Sequence, residues 1–145
     1  MKIHRIDHIG IIVNDLASVK AFFLEMGLKE VGEAEVQGEW VEQIIGLSNV
    51  KETVSMLEIP GGQTMLELVK FHRPLDEMGV QPISANTLGI RHIAFAVEDI
   101  ESIVSRLEKQ GGELVGKIEN YNNTYKLCYI RGPEEIIIEL AEKIK

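Results

Sequence analysis

Two stretches with one shared pattern decide the fold: IDHIGIIVNDL at residues 6–16 and GIRHIAFAVEDI at residues 89–100. Each places a histidine, His8 or His92, inside an alternating apolar run that is typical of a β-strand. The two histidines are 84 residues apart (92 − 8 = 84), and this offset holds without a gap from residue 8 to residue 33. We infer that the chain contains two copies of one module.

Each copy is predicted to have the element order β-α-β-β-β. First strands are expected at about 3–13 and 89–97, and amphipathic helices at about 16–26 and 100–110. Three more strands complete each copy. An aspartate suited to an N-cap precedes each helix, and a glycine suited to the left-handed C′ position follows it: these are Asp15, Asp99, Gly27 and Gly111.

The predicted fold class is α+β, with a single domain over residues 1–145. Module 1 spans about 1–71, a linker with two prolines spans about 72–87, and module 2 spans about 88–145. In the fourth strands, Glu67 and Glu139 are only 72 residues apart (139 − 67 = 72). Module 1 therefore has 12 extra residues (84 − 72 = 12) around QGEWVEQIIGLSNV, where a short helix is predicted at 40–45.

Composition narrows the class of protein. Hydrophobic residues make up 45% of the 145 residues, which is enough for a packed core. A net charge of −8 disfavours nucleic acid and anionic membranes as partners. The single cysteine, Cys128, permits no internal disulfide and is expected to be a small buried hydrophobe. With no signal peptide or membrane span expected, the predicted location is cytoplasmic.

The chemistry is predicted to reside in one His and one Glu from each copy. Glu67 in MLELV and Glu139 in IIIELA are carboxylates in apolar strands, a costly placement unless something compensates the charge. Taken singly, each has an ordinary explanation: a hydrogen-bonded core imidazole, or a glutamate at a strand end. Taken together, His8, Glu67, His92 and Glu139 occupy repeat-equivalent positions. We expect them to converge on one divalent ion: Zn²⁺, Ni²⁺, Co²⁺, Mn²⁺ or Fe²⁺.

The chain resembles the vicinal oxygen chelate superfamily, which includes glyoxalase I, methylmalonyl-CoA epimerase, extradiol dioxygenases and the fosfomycin and bleomycin resistance proteins. The resemblance rests on DHIGIIVNDL, LELVKF, GIRHIAFAVEDI and YIRGPEEIIIELAE. It implies two βαβββ modules whose eight strands form a U-shaped, partly closed mixed sheet around a metal cleft. It also places the four metal positions on His8, Glu67, His92 and Glu139, a set similar to that of glyoxalase I and close to that of the epimerase.

The same resemblance implies a divalent-metal-dependent lyase or isomerase. Its small substrate, expected to be a thioester or a thiohemiacetal, would bind through neighbouring oxygens and lose a proton next to a carbonyl to give an enediolate. Glu139, or else Glu67, would act as the general base. Relatives are often homodimers, so a homodimer is expected. The first helix, LASVKAFFLEMGL, departs from the sequence pattern of glyoxalase I. The residues that would bind glutathione or an acyl-CoA are therefore not assigned.

Two other functions stay open. An extradiol-type dioxygenase needs only two histidines and one carboxylate, with open positions for O₂ and substrate. A metal-dependent binding or resistance protein would hold a small molecule without turnover. Candidate substrate contacts, each with surface exposure or packing as the simpler interpretation, are Trp40, Tyr125, Lys126 and Arg131.

Overall fold

The computed structural model of the chain describes residues 1–144. Within them lie three α-helices: α1 (Leu16–Glu25), α2 (Glu39–Ile45) and α3 (Ile100–Lys109). The strands are β1 (His8–Ile12), β2 (Lys29–Gln37), β3 (Lys51–Glu58), β4 (Met65–Arg73), β5 (His92–Val97), β6 (Glu113–Leu114), β7 (Glu119–Tyr121), β8 (Tyr125–Arg131) and β9 (Ile137–Lys143). The chain divides into two compact units, Met1–Gly79 and the residues from Val80 onward.

The first unit is a four-stranded mixed sheet covered on one face by α1. Its strand order is β1-β4-β3-β2, with β1 parallel to β4 and the other pairs antiparallel. α1 packs on β4, and its apolar stripe is fully buried in the core with residues of β3 and β4. The core side chains on this face include Val19, Phe22, Phe23, Leu57, Leu66 and Leu68. The predicted insertion helix at 40–45 is present as α2.

The second unit repeats this plan with one more strand. Its main path is β5-β9-β8-β6, and β7 also pairs with β8. The predicted second strand of module 2 is split because four residues, 115–118, lie between β6 and β7, whereas only two residues of β8 lie opposite them. The surplus residues bulge and interrupt the pairing.

The α+β class and the two tandem modules are confirmed. The count of eight strands in one partly closed sheet is corrected: residues 1–144 contain nine strands in two sheets, of four and five strands, and neither sheet is closed within this range.

The two main helices begin differently. Asp15 accepts a hydrogen bond from the Ser18 backbone N–H at 3.1 Å, which confirms it as the N-cap of α1. Asp99 also occupies the predicted N-cap position of α3, but its backbone is left-handed (φ 56°) and its side chain makes no cap hydrogen bond, so the predicted capping by this carboxylate is wrong. Glu142 of β9 replaces it, accepting from the Ile100 backbone N–H at 2.6 Å. Gly27 and Gly111 have the expected positive φ, +107° and +88°.

Cys128 is buried on β8, with 3% of its surface exposed. Burial raises the pKa of its thiol to about 11, so the reactive thiolate is scarce at neutral pH. In the portion from residue 1 to 144, none of the helices combines the length and the apolar character needed to cross a membrane.

Candidate functional site

The alternation of each sheet separates a helix face from a second face, here called the site face. In the first unit the site face carries His8 and Gly10 of β1, Glu67 of β4 and Met56 of β3, because Gly10, Glu67 and Met56 are register partners. In the second unit the register partners Ala94, Glu139 and Tyr129 take the same places, with His92 two residues before Ala94. The site faces therefore present repeat-equivalent residues.

In the first unit, His8 and Glu67 form a pair. The His8 Nε2 lies 3.8 Å from the Glu67 Oε1, and the side chains are 41% and 29% exposed. Gly10 keeps the space beside this carboxylate open, since a Cβ there would lie 3.9 Å from the Glu67 Oε1. The pair is open to solvent and to a ligand.

In the second unit, His92 and Glu139 form the equivalent pair at a shorter separation. The His92 Nε2 lies 3.3 Å from the Glu139 Oε1, with 36% and 21% of the side chains exposed. The strand register produces both pairs in the same way, because β1 and β5 run parallel to β4 and β9 with the same offset.

Both separations fit two ligands of one ion. Ligands about 2.1 Å from a tetrahedral metal stand about 3.4 Å from each other, close to the 3.3 and 3.8 Å found here. Imidazole nitrogen with carboxylate oxygen also suits borderline divalent metals. Within residues 1–144 no group of three or more His, Cys, Asp or Glu side chains is placed to hold an ion, so each unit offers two ligands. Convergence of all four stays a prediction.

Asp7 contacts His8 at Nδ1, the ring nitrogen that does not approach Glu67. A carboxylate can only accept, so the His8 Nδ1–H donates to the Asp7 Oδ2 at 2.8 Å, which directs the Nε2 lone pair toward the Glu67 side. This hydrogen bond raises the pKa of His8, and the charge of Glu67 adds to the rise. It also lowers the pKa of Asp7, which Arg5 contacts at 3.2 Å. Such carboxylate–histidine pairs commonly orient metal-binding imidazoles.

The neighbours of His92 are different. The residue before it is Arg91, the repeat equivalent of Asp7 (7 + 84 = 91). Tyr129 lies beside the His92 ring, with 4.8 Å between ring centroids and 41° between ring planes. The Tyr129 hydroxyl oxygen is 3.5 Å from the His92 Nε2, at the outer limit of a hydrogen bond. The second pair thus has a phenol beside it where the first has the thioether of Met56.

Glu52 is a second acid on the site face of the first unit. It lies on β3 four residues before Met56 and is 8% exposed. Burial raises the pKa of its carboxyl, and the negative charge of Glu67 raises it further. The side chain therefore holds a proton more readily than an ordinary surface glutamate.

The structure distributes the four predicted substrate contacts over different places. Tyr125 and Arg131 lie on the site face of β8 with Tyr129, and the Arg131 Nη1 donates to the Ile83 carbonyl at 2.6 Å. Lys126 lies on the helix face instead, because neighbouring strand residues point to opposite sides, and it contacts Glu101 of α3 at 2.7 Å. Trp40 lies in α2 and is 61% exposed.

Sequence reasoning missed Asp7 and Tyr129. Asp7 directly precedes His8, a signal that was available in the sequence. Tyr129 could have been found from the RGPEE turn, because an antiparallel turn centred on residue 134 places residues 129 and 139 opposite each other. The sequence analysis named Tyr125 as a candidate contact, whereas the strand register places Tyr129 opposite Glu139.

Comparison with known proteins supports the family resemblance found in the sequence. The model of the Glyoxalase/Bleomycin resistance protein/Dioxygenase superfamily matches residues 5–140. The uncharacterized protein YaeR of Escherichia coli (strain K12) is 26% identical over 143 residues, which cover 96% of each chain.

Solved structures agree with this match. A glyoxalase family protein from Bacillus cereus is 41% identical with a TM-score of 0.92, over 100% of this chain and 97% of that one. The fosfomycin resistance protein FosX of Listeria monocytogenes, solved with Mn(II), has a TM-score of 0.61 at 16% identity, over 96% of this chain and 90% of that one. This second likeness shows the fold alone.

The extent of the family match, the two tandem modules and the 41% identity all support one family. The chain belongs to the glyoxalase/bleomycin resistance protein/dioxygenase superfamily, also called the vicinal oxygen chelate superfamily.

Proposed function

We propose that the chain is a divalent-metal-dependent lyase or isomerase of the glyoxalase type. It would take a small substrate with two neighbouring oxygens and move a proton next to a carbonyl. One observation carries the proposal: each unit presents a His Nε2 and a Glu Oε1 at ligand spacing, 3.8 Å in one and 3.3 Å in the other, on an exposed sheet face. Ordinary core histidines would not recur in this way with a carboxylate partner.

The residues that would hold the ion are His8, Glu67, His92 and Glu139. When bound, a divalent ion supplies positive charge that stabilises negative charge developing on substrate oxygens. The donor set favours proton transfer over dioxygenation, because a fourth protein ligand leaves fewer open positions for O₂ and a catechol.

We assign the general base to Glu139. Its carboxylate would accept the proton from the carbon next to the carbonyl and return it to the product, a role that requires hydrogen-bond reach of the substrate. Glu67 is the second candidate, since it occupies the equivalent place on β4. The expected substrate is a thioester or a thiohemiacetal. The protein is expected to be a cytoplasmic homodimer.

The test begins with metal content. Protein purified without chelator is analysed for bound metals, and metal-free protein is titrated with Ni²⁺, Co²⁺, Zn²⁺ and Mn²⁺. Turnover is then measured with the thiohemiacetal of methylglyoxal and glutathione, with a chiral acyl-CoA, and with catechol while oxygen is monitored. Glu139→Gln is expected to lower kcat at least 100-fold with partial loss of metal affinity. Glu113→Gln, an exposed acid on β6, is the matched control.

The outcomes separate the functions. Unchanged turnover in Glu139→Gln rules out this base. Oxygen consumption with Fe²⁺ and catechol replaces the lyase with a dioxygenase. Metal uptake without turnover on any of the three substrate classes replaces it with a binding protein.

A further inference from the structure

We propose that Glu52 of β3 binds a cationic group of the substrate, such as a primary ammonium. The inference deepens the proposed function and rests on it, because that function places the two neighbouring oxygens of the substrate beside Glu67. It adds a requirement on the substrate class, which is a positive charge at the end remote from those oxygens. Glu52 would select the substrate and take no part in moving the proton.

Glu52 lies on the same face of the sheet as the proposed metal ligands of the first unit. The register between β3 and β4 sets Met56 beside Glu67 and Glu52 beside Phe71. Glu52 and Met56 point to the same side, because they are four residues apart and the register between them is regular. Four residues of strand correspond to about 13 Å. A single elongated ligand can therefore contact both Glu67 and Glu52.

The carboxylate of Glu52 is buried without a partner. Only 8% of the residue is exposed, and its register partners are the apolar Val36 of β2 and Phe71 of β4. Within residues 1–144 it accepts no hydrogen bond and forms no ion pair. Burial raises the pKa of its carboxyl, and the negative charge of Glu67 raises it further. The fold thus surrounds this acid with apolar groups and charge of the same sign.

An ionised carboxyl in such a place lowers stability unless a positive charge meets it. A ligand that carries an ammonium group would remove this cost on binding, whereas an anionic or apolar group would leave the charge buried and unpaired. A residue that lowers the stability of the empty protein and makes no contact in it has the character of a binding residue.

The second unit shows that the module does not require an acid at this position. Tyr125 takes the repeat-equivalent place, since it lies four residues before Tyr129 as Glu52 lies four residues before Met56. The strands pair in the same way in both units, so strand pairing does not account for the acid. Glu52 is therefore particular to one copy, and so is the charge preference that it would give.

The experiment compares matched probes on the full chain loaded with Co²⁺. Each probe is a hydroxamic acid, which chelates through two neighbouring oxygens, on a chain of four, six or eight carbons that ends in either a primary ammonium or a hydroxyl. Calorimetry measures their affinities for the parent, Glu52→Gln and Glu58→Gln. Glu58 is the matched control, because it is an exposed acid on the same face at the other end of β3.

At the best chain length, the parent is expected to bind the ammonium probe about tenfold more tightly than the hydroxyl probe, as one charge-assisted hydrogen bond would give. Glu52→Gln should lose this preference while its affinities for Co²⁺ and for the hydroxyl probe stay within about twofold of the parent. Glu58→Gln should keep the preference. Circular dichroism and the Tm confirm that the variants are folded.

Three results would overturn the inference. The first is equal affinity of the parent for the ammonium and hydroxyl probes. The second is a preference for the ammonium probe that survives in Glu52→Gln. The third is an equal loss of the preference in Glu52→Gln and Glu58→Gln, which would assign it to the net charge of the protein.

A second arm separates this inference from the proposed function. Metal-free protein labelled with ¹³C at its glutamate carboxyls is titrated with hexylammonium and with 1-hexanol, and the Glu52 signal is identified by its absence from Glu52→Gln. Failure of the loaded parent to bind any hydroxamate would count against the metal-dependent function, and this arm then decides the role of Glu52. A shift of its signal with hexylammonium but not with 1-hexanol supports the role, and no shift with hexylammonium refutes it.

Discussion

The two units place a histidine and a glutamate at the same positions but surround them differently. In the first, Asp7 accepts from His8 Nδ1 and Met56 lies opposite Glu67; in the second, Arg91 precedes His92 and Tyr129 lies opposite Glu139. The shared part is what the proposed common ion would require. The different part gives each pair its own neighbours, and the predictions below compare them.

The largest effect expected is from removal of either histidine. His8→Ala and His92→Ala should each lower the affinity for Co²⁺ by at least about 100-fold, because each removes a ligand that the other pair cannot replace. Calorimetric titration of the metal-free variants measures this. If only one of the two variants loses affinity for Co²⁺, the two pairs do not share an ion.

The next effect concerns the support behind each histidine. Asp7→Asn should weaken Co²⁺ binding roughly tenfold, because it removes the charged acceptor that orients His8. Arg91→Gln, at the equivalent position, should change the affinity less than about twofold. Equal losses in the two variants would show that Asp7 has no special part in ion binding.

The third effect concerns the side chains that cap α1 and α3 and is measured as a change in stability. Asp15→Ala and Glu142→Ala should each lower the free energy of unfolding by about 1 kcal/mol, since each removes the acceptor at the start of a helix. Asp99→Ala should cost clearly less than Glu142→Ala, because Asp99 makes no cap hydrogen bond. Urea unfolding of the metal-free variants tests the order, and a larger loss for Asp99→Ala would refute the assignment of the α3 cap.

The smallest effect expected is from Glu52, which has no counterpart acid in the second unit. Burial raises the pKa of its carboxyl, so the folded state holds the proton more tightly than the unfolded state does. Its effect on stability is therefore favourable at low pH and is lost as the pH rises above the ordinary value of 4.5. Glu52→Gln should raise the free energy of unfolding at pH 7 by about 0.5 kcal/mol.

Unfolding of metal-free protein across pH 4–7 checks this sign. The difference between Glu52→Gln and the parent should grow with pH. Exposed Glu119→Gln serves as the control. A variant that is less stable than the parent at pH 7 would mean that ionised Glu52 is compensated in the fold.

Much of the fold was predictable because the sequence repeats one module. The gap-free offset predicted β1, α1, β5 and α3, and the repeat-equivalent positions identified both His–Glu pairs. The two first strands are shorter than the predicted 3–13 and 89–97. The split of the second strand was not predicted, since Val115 and Ile118 favour a strand and only the pairing with β8 shows that residues 115–118 are surplus.

Side-chain roles were less predictable than elements. Asp99 has the residue type of an N-cap, but its left-handed backbone moved that role to Glu142, which is 42 residues later in the sequence than Ile100. Lys126 and Arg131 are both cations of β8, but the alternation of side chains along the strand places Lys126 on the helix face and Arg131 on the site face. Both outcomes depend on long-range packing that local pattern does not encode.

The most direct test of the central claim is a crystal structure of the Co²⁺-loaded protein with anomalous data collected at the cobalt edge. We predict one anomalous peak per chain, about 2.0–2.2 Å from His8 Nε2, His92 Nε2 and a carboxylate oxygen of both Glu67 and Glu139. Two separate peaks, one at each His–Glu pair, or none at either pair, would contradict a shared ion.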